Sequence, residues 1–429
     1  MLVRTDYKRV REIVFLKDVG VLAVSAFGGP EMHISLFLKH LVQEKKYLSE
    51  TDLLELNSLC QILPGPSSTQ TLTAIAYKIG GPRLAFLALM IWIMPATLLM
   101  SFFVLSTSFV KPQVFTFIGP MALGFIVVAA LQMFKLLKKD RLNIGLAILA
   151  AFLSFWFHTP VAFPVLLLAG ALVTVNFGKK DFIPNNKPLI NIRWANLSLM
   201  FMILITVAVV GLYTKTKFPI FSQPIRLFEN TYRMGTMVFG GGNVLYSMIL
   251  TEFVEFKPKQ YLSLSEFNTG LGLLQAVPGP TFSLATFANG MAMKNLGYGF
   301  NGQLIGCALG TLAIFLPGTL LIFFVYPIWS QVKEYPIIYR SLDGIISVSI
   351  GFIWSAALFM LMPYLKSIAT ECALFLECQK KGINMHGMTD QYLSLFVFII
   401  TLVYLRYKKL PTVLLVVVTL LAGYLLYAV

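Results

Sequence analysis

Long apolar stretches separated by short polar, basic segments make up most of the chain. In the first part of the chain these stretches cover about 83–109, 113–134, 142–157 and 160–177. Another follows at about 195–214, after a basic linker. Apolar stretches of about 20 residues with few charges are typical of membrane-spanning helices, so we predict one span for each.

Two units that precede these stretches are too short and too polar for ordinary spans. Residues 13–43 are interrupted at Gly28-Gly29-Pro30, and residues 49–80 are interrupted at Pro64-Gly65-Pro66. Proline lacks a backbone donor and glycine permits a sharp reversal, so neither motif continues a helix. We therefore predict two hairpins of half-helices that enter the membrane and return.

The same order of motifs then recurs. Residues 225–256 carry a second glycine break at Gly240-Gly241-Gly242, and residues 260–297 carry a second Pro-Gly-Pro motif at 278–280. The last spans lie within 299–428. The difference in residue number between matching positions of the two copies grows from 212 to 227 along the chain, as insertions in loops would produce. This pattern indicates an internal duplication.

The predicted domains follow from this duplication. They are a first repeat at 1–177, with spans over 83–177, a linker and connecting transmembrane helix at 178–218, and a second repeat at 219–429. With the N-terminus in the cytoplasm, most of the 34 Lys and Arg residues face the cytoplasm, as the positive-inside rule requires. The connecting helix then makes the second repeat enter from the opposite side.

The predicted fold is thus an all-α integral membrane protein with two inverted-topology repeats. Each repeat has two broken-helix membrane hairpins and four transmembrane helices. Inverted repeats with broken helices are the architecture of secondary transporters, whose sites lie near the membrane midplane between the repeats.

Composition agrees with a multi-pass membrane protein: 57% of the residues are hydrophobic, 12% are charged, and the mean hydropathy is +0.77. Because the net charge of +15 comes largely from short loops, we expect no binding of nucleic acid. No small-residue cleavage site follows the first apolar stretch, so we expect no removable signal. Cys372 and Cys378 share a predicted loop, and a disulfide between them is left open.

The half-helix after each Pro-Gly-Pro motif begins with hydroxyl residues. A helix start carries unpaired N–H groups and a partial positive charge, which favours an anion. Two such starts that meet in the membrane would surround a tetrahedral oxyanion without a full buried positive charge. The predicted substrate-binding residues are Gly65, Ser67, Ser68, Thr69, Gly279, Thr281 and Ser283. The alternative is that both motifs are packing kinks with Ser and Thr as caps.

Further candidates for the substrate site flank the breaks: Gln61, Gln275, Asn243, Gly28, Gly29, Gly240 and Gly241. The two glutamines either orient the anion or satisfy carbonyl groups that the break leaves free. The glycines allow close approach of the backbone, and their amides are a secondary means of contacting the ligand.

Three ionisable residues lie near the glycine breaks. Glu31 and His33 are proton-coupling candidates, because ionisable groups inside a membrane are costly and usually functional. A carboxylate in a first helical turn is also stabilised by the helix dipole, which is the alternative for Glu31. Arg233 either counters the charge of the substrate or pairs with Glu229 one turn away.

Several activities lack their motifs. The sequence contains no P-loop, no HExxH and no GxSxG, and its four His are widely spread. We therefore expect no catalytic residues, metal or cofactor, and no ATPase, metalloenzyme or hydrolase activity.

The break motifs resemble those of the chromate ion transporter family. The resemblance rests on residues 27–34, 59–69, 239–242 and 275–290, and it covers both halves, as in the long, two-repeat form. It implies an inner-membrane protein that exports chromate, coupled to the proton gradient as in an antiporter. Glu31 replaces a residue that is usually small in the family, and Ser67 replaces one that is often Asn.

The expected partners are therefore chromate or a sulfate-like oxyanion, protons and the lipid bilayer, and a homodimer stays open. Two alternatives remain for the function. The same fold would transport sulfate or another oxyanion, in either direction. In an anion channel the facing helix ends would instead line a continuous pore.

Overall fold

A computed structural model of the chain describes residues 2–27, 30–107, 115–137, 139–157, 162–177, 195–217, 219–239, 241–329, 336–381, 389–407 and 412–427. Within these ranges the regular structure is entirely helical. The basic linker predicted at 178–193 lies outside them.

The first series of helices comprises α1 (Leu2–Ser25), α2 (Pro30–Phe37), a π turn (Leu38–Glu44), α3 (Glu50–Ile62), α4 (Ser67–Gly80), α5 (Pro82–Ser106), α6 (Ile118–Leu136), α7 (Arg141–Phe157) and α8 (Ala162–Phe177). A single helix, α9 (Ala195–Lys217), follows. A break therefore separates α1 from α2 and α3 from α4, as the motifs predict. Helices α5–α8 cover the four apolar stretches.

The second series comprises α10 (Pro219–Met237), α11 (Gly242–Ile249), a π turn (Leu250–Glu255), α12 (Leu264–Leu274), a 3-10 turn (Thr281–Ser283), α13 (Leu284–Asn295), α14 (Gly299–Val325), α15 (Pro336–Lys381), α16 (Thr389–Tyr407) and α17 (Thr412–Tyr427). Short 3-10 turns also cover Lys257–Lys259 and Tyr326–Ile328. The order of elements repeats that of the first series, including the π turn after the second helix.

Matching local signals start the third helix of each series. Ser49 accepts a hydrogen bond from the backbone N–H of Asp52, and Asp52 accepts one from the N–H of Ser49, which is a capping box. Ser263 and Glu266 form the same reciprocal pair at the start of α12. Such caps satisfy N–H groups that a helix start leaves unpaired, so sequence alone fixes where these helices begin.

Three of the described helices are long and apolar enough to cross a membrane by length and composition. They are Pro82–Ser106, Gly299–Ile328 and Asp343–Met362, and six shorter apolar helices accompany them. Large apolar side chains such as Leu168, Leu172 and Ile205 are more than half exposed on α8 and α9. Apolar surface of this kind suits contact with lipid, and these helices are compatible with a membrane protein.

The core forms where the two series pack together. Helix α13 contacts α5 as well as α14, and α4 contacts α14 as well as α5. Helix α15 packs against α7 and α8, where Ser347 donates a hydrogen bond of 2.9 Å to Asn143. Helices α4 and α13, which follow the Pro-Gly-Pro motifs, therefore each contact both α5 and α14, one long helix from each series.

The prediction of a loop around Cys372 and Cys378 is wrong, because both residues lie within α15. Residues six positions apart in an α-helix are separated by about 9 Å along its axis. This separation exceeds the roughly 7 Å between Cα atoms that a disulfide can bridge, so a bond between the two cysteines is incompatible with this helix.

Glycines of α14 allow it to approach α13 closely. A Cβ at Gly306 would lie 2.5 Å from the carbonyl oxygen of Asn289. A Cβ at Gly310 would collide with the carbonyl oxygen of Ala285. A small-residue stripe of this kind lets two helix backbones come together in a membrane protein.

Replacing Gly306 by alanine should therefore destabilise the protein by about 1–3 kcal/mol, because the new methyl group overpacks this contact. The matched control is Gly145→Ala in α7, where a Cβ would meet no atom within 4 Å. Thermal unfolding of the detergent-solubilised proteins tests this. A Gly306→Ala midpoint equal to or above that of the Gly145→Ala control would show that α13 and α14 are not so close.

Candidate functional site

Two hydrogen bonds between the series hold the Pro-Gly-Pro motifs in place. The N–H of Gly65 donates to the carbonyl of Val238 over 2.7 Å, and the N–H of Gly279 donates to the carbonyl of Ala26 over 2.8 Å. Val238 and Ala26 occupy matching positions, just before the glycine break of each series. Each Pro-Gly-Pro motif is thus joined to the glycine break of the other series.

Glycine is required at both motifs for conformation and for space. Gly65 has φ +122° and Gly279 has φ +105°, in the left-handed region that favours glycine. A Cβ at Gly65 would lie 3.2 Å from the Cα of Gly318, and one at Gly279 would lie 3.1 Å from the Cβ of Ala96. Gly318 and Ala96 follow the internal prolines of α14 and α5, so these contacts also join the two series.

The first turn after each motif retains unpaired backbone donors. In α4 the first N–H with a backbone acceptor is that of Gln70, which bonds to Pro66. The N–H groups at positions 67–69 therefore have no backbone acceptor within the described ranges. After the second motif, the first backbone hydrogen bond runs from the N–H of Ser283 to the carbonyl of Pro280. Within the described ranges, the N–H groups at positions 281 and 282 therefore also lack a backbone acceptor. Unpaired N–H groups with a partial positive charge form an anion-binding surface.

The predicted hydroxyl groups lie in these first turns. Ser68 Oγ is 3.0 Å from His33 Nδ1, and Thr69 accepts a hydrogen bond of 3.1 Å from the indole N–H of Trp92. Thr281 is half-buried beside the second glycine break, where a Cβ at Gly242 would collide with its Oγ1. Ser283 is 0% exposed, and its Oγ has no hydrogen-bond partner within the described ranges. A buried hydroxyl without a partner is costly, and a ligand that accepts its proton would remove the cost.

His33 and Trp92 contact the first turn of α4, and His33 also links it to the second Pro-Gly-Pro motif. Besides its contact with Ser68, His33 places Nε2 3.2 Å from the carbonyl oxygen of Ala26, which also accepts the N–H of Gly279. The ring of Trp92 packs edge-on against His33, with 5.2 Å between the centroids. A chain of hydrogen bonds therefore runs from Gly279 to Ser68 across the boundary between the series.

Trp92 and Gln70 are residues that sequence reasoning missed. Gln70 is 2% exposed, and its amide donates to the carbonyl groups of Pro64 (2.9 Å) and Gly318 (3.2 Å). It thereby fixes the first motif to the kink of α14. Its Oε1 has no partner within the described part of the chain. The polar run 67–71 is the one signal that could have identified Gln70.

The flanking candidates differ in burial. Gln61 is exposed at the end of α3, whereas Gln275 is half-buried and has its amide 3.4 Å from the carbonyl of Leu271. Asn243 is half-buried in the first turn of α11, two residues after Gly241 at the N-cap. Gly28, Gly29, Gly240 and the side chain of Glu31 lie outside what the structure describes, although Glu31 is in the first turn of α2.

Arg233 forms the ion pair that its spacing predicts. Its guanidinium donates to Glu229 over 3.1 Å and also pairs with Glu252, whose carboxylate accepts from Lys259 over 2.8 Å. Two carboxylates thus balance the charges of the two cations. The role of Arg233 as a counter-charge for a substrate stays a prediction.

Comparison with known proteins identifies a family. The chromate transporter family matches residues 14–175 and 225–424, so the match includes both series of helices. A chromate transport protein of Cupriavidus metallidurans is 25% identical over 81% of this chain and 82% of its own length. A chromate transport protein of Pseudomonas aeruginosa is 24% identical over 76% of each chain.

An uncharacterized transporter of Methanocaldococcus jannaschii is 24% identical over 94% of this chain and 92% of its own length. No solved structure matches the chain. The family match covers most of the sequence, and the helices are compatible with a membrane protein. The chain therefore belongs to the chromate transporter family and is a multi-pass membrane transport protein rather than an enzyme.

Proposed function

We propose that this protein exports chromate as a secondary active transporter and binds the anion where the helices after the two Pro-Gly-Pro motifs begin. The observation that carries this proposal is the pair of hydrogen bonds from Gly65 to Val238 and from Gly279 to Ala26. Each bond ties the start of a half-helix in one series to the backbone of the other series. The names of the relatives supply the substrate.

Electrostatics suits this site to a dianion. Each helix start carries roughly half an elementary positive charge, so the two together supply about one. The unpaired N–H groups and the hydroxyls of Ser68, Thr281 and Ser283 add hydrogen-bond donors in several directions. The remaining charge of about −1 on the bound dianion favours the uptake of a proton, for which Glu31 and His33 are the candidates.

Matching positions across the series support inverted repeats with alternating access. Both cross-series hydrogen bonds involve equivalent residues, as a twofold relation between the series would require. In transporters with inverted repeats, one unit rocks against the other around a fixed site. Contacts from Gly65 to Gly318 and from Gly279 to Ala96 are the ones that such rocking would change.

The membrane potential supports export. Each elementary charge that crosses the membrane gains or loses about 2.3 kcal/mol per 100 mV, so a dianion that leaves a negative cell interior gains energy. The distribution of basic residues favours a cytoplasmic N-terminus, and we assign the protein to the inner membrane.

Binding to the purified protein tests the substrate. Chromate should bind more tightly than phosphate, and competition with sulfate and thiosulfate measures how far the site separates tetrahedral dianions. Tighter binding of sulfate than of chromate would assign sulfate as the substrate and contradict this proposal.

Flux into proteoliposomes tests the mechanism. A carrier should show saturation and counterflow, in which unlabelled chromate inside the vesicles accelerates the entry of labelled chromate. Electrical current at a high unit rate, without counterflow, would identify an anion channel instead.

Removal of two hydroxyls tests the site. Ser68→Ala combined with Thr281→Ala should weaken chromate binding about tenfold or more, because each hydroxyl would donate a hydrogen bond to a charged oxygen. The matched control is Thr73→Ala with Thr269→Ala, since these hydroxyls bond to carbonyl groups of their own helices. Equal affinity of the two double variants would remove Ser68 and Thr281 from the site.

A further inference from the structure

The surroundings of His33 fix its neutral tautomer. Its Nε2 lies 3.2 Å from the carbonyl oxygen of Ala26, and a carbonyl oxygen can only accept, so Nε2 must carry the proton. The other nitrogen, Nδ1, then has a lone pair and no proton. Its partner at 3.0 Å is the hydroxyl of Ser68, which must therefore donate to it.

This geometry has a consequence for Ser68. A serine hydroxyl has one proton, and neutral His33 uses that proton. When His33 is protonated, Nδ1 becomes a donor and the direction of the hydrogen bond reverses. Ser68 then accepts from His33, and its own proton becomes free for another acceptor. Ser68 lies in the first turn of α4, beside the unpaired N–H groups.

We propose that His33 couples proton binding to anion binding by turning Ser68 from a donor to the imidazole into a donor to the bound oxyanion. This inference rests on the proposed function, since it requires the anion to bind at the start of α4. It assigns the proton to His33 and leaves Glu31 without that role.

Charge balance agrees with this coupling. His33 is 0% exposed, and a buried imidazolium is costly unless an opposite charge lies nearby. The bound dianion supplies that charge, and in return the imidazolium adds one positive charge to the roughly one of the two helix starts. Because linkage is reciprocal, an anion that strengthens proton binding is itself bound more tightly by the protonated protein.

The second series provides an internal comparison. Leu245 occupies the position that matches His33, and Phe282 occupies the one that matches Ser68. Both are buried and neither can titrate. The switch is thus present in only one half of the site, which pairs one proton with each bound anion.

Within the described ranges, the side chains in hydrogen-bond or ring contact with His33 are those of Ser68 and Trp92, and both are neutral. Charged groups on neighbouring helices include Lys17 and Asp18 of α1, Lys78 of α4, Arg83 of α5 and Lys294 of α13. Glu31 lies two residues away on α2 itself. Among the described side chains, His33 is a titratable group that directly contacts the first turn of α4.

Chromate binding to the purified full-length protein, measured between about pH 5 and about pH 8, tests the inference. The informative variant is His33→Gln, because glutamine offers one donor to Ala26 and one acceptor to Ser68 but does not titrate. Its matched control is His40→Gln, since His40 lies on the π turn and contacts Glu44 and Asp18. The protonation of chromate itself is the same for every protein compared.

Wild type and His40→Gln should bind chromate about tenfold more tightly than His33→Gln at the acidic end, and all three should converge at the alkaline end. Ser68→Ala should bind chromate weakly and should lack the gain in affinity at acidic pH, as His33→Gln does. If His33→Gln does not fold, the pH profile of Ser68→Ala tests the switch instead. Equal pH profiles of wild type and Ser68→Ala would overturn the switch and leave the proposed function intact.

Loss of the pH dependence in Glu31→Gln, with its retention in His33→Gln, would place the proton on Glu31 and also overturn the inference. Absence of chromate binding by the wild type at every pH would refute the proposed function, and the inference with it.

Discussion

The hydrogen bonds from Gly65 to Val238 and from Gly279 to Ala26 are the constraint on which the rest of this structure depends. A break in a helix frees backbone polar groups, and a membrane interior offers no water to satisfy them. This protein satisfies two of them, the N–H groups of Gly65 and Gly279, with carbonyl groups of the other series. Neither broken helix is complete alone, and the centre exists only where both halves meet.

Such a centre is suited to an anion for a physical reason. Two helix starts and several hydroxyls provide donors in different directions, while the guanidinium of Arg233 is balanced by carboxylates. A site without a permanent full charge binds a dianion without trapping it, which a transporter requires. In the proposed mechanism, His33 supplies the missing charge only when the anion and a proton are both present.

Local chemistry made much of this architecture predictable. Pro64-Gly65-Pro66 and its second copy indicate the breaks, because the conformational limits of proline and glycine act within a few residues. The pair of Arg233 with Glu229 follows from helical spacing in the same way. Trp92 and Gln70 were missed because their partners, Thr69 and Gly318, lie 23 and 248 positions away. The loop predicted around Cys372 was wrong because good helix formers carry α15 through a polar segment.

The most direct test of the account is the position of chromate in a crystal of the complex, located by the anomalous scattering of chromium. Chromium should give one peak between the first turn of α4, at Ser68, and the turn that contains Ser283. A peak beside Arg233 and Glu252 instead, or one in the loops outside the broken helices, would contradict it.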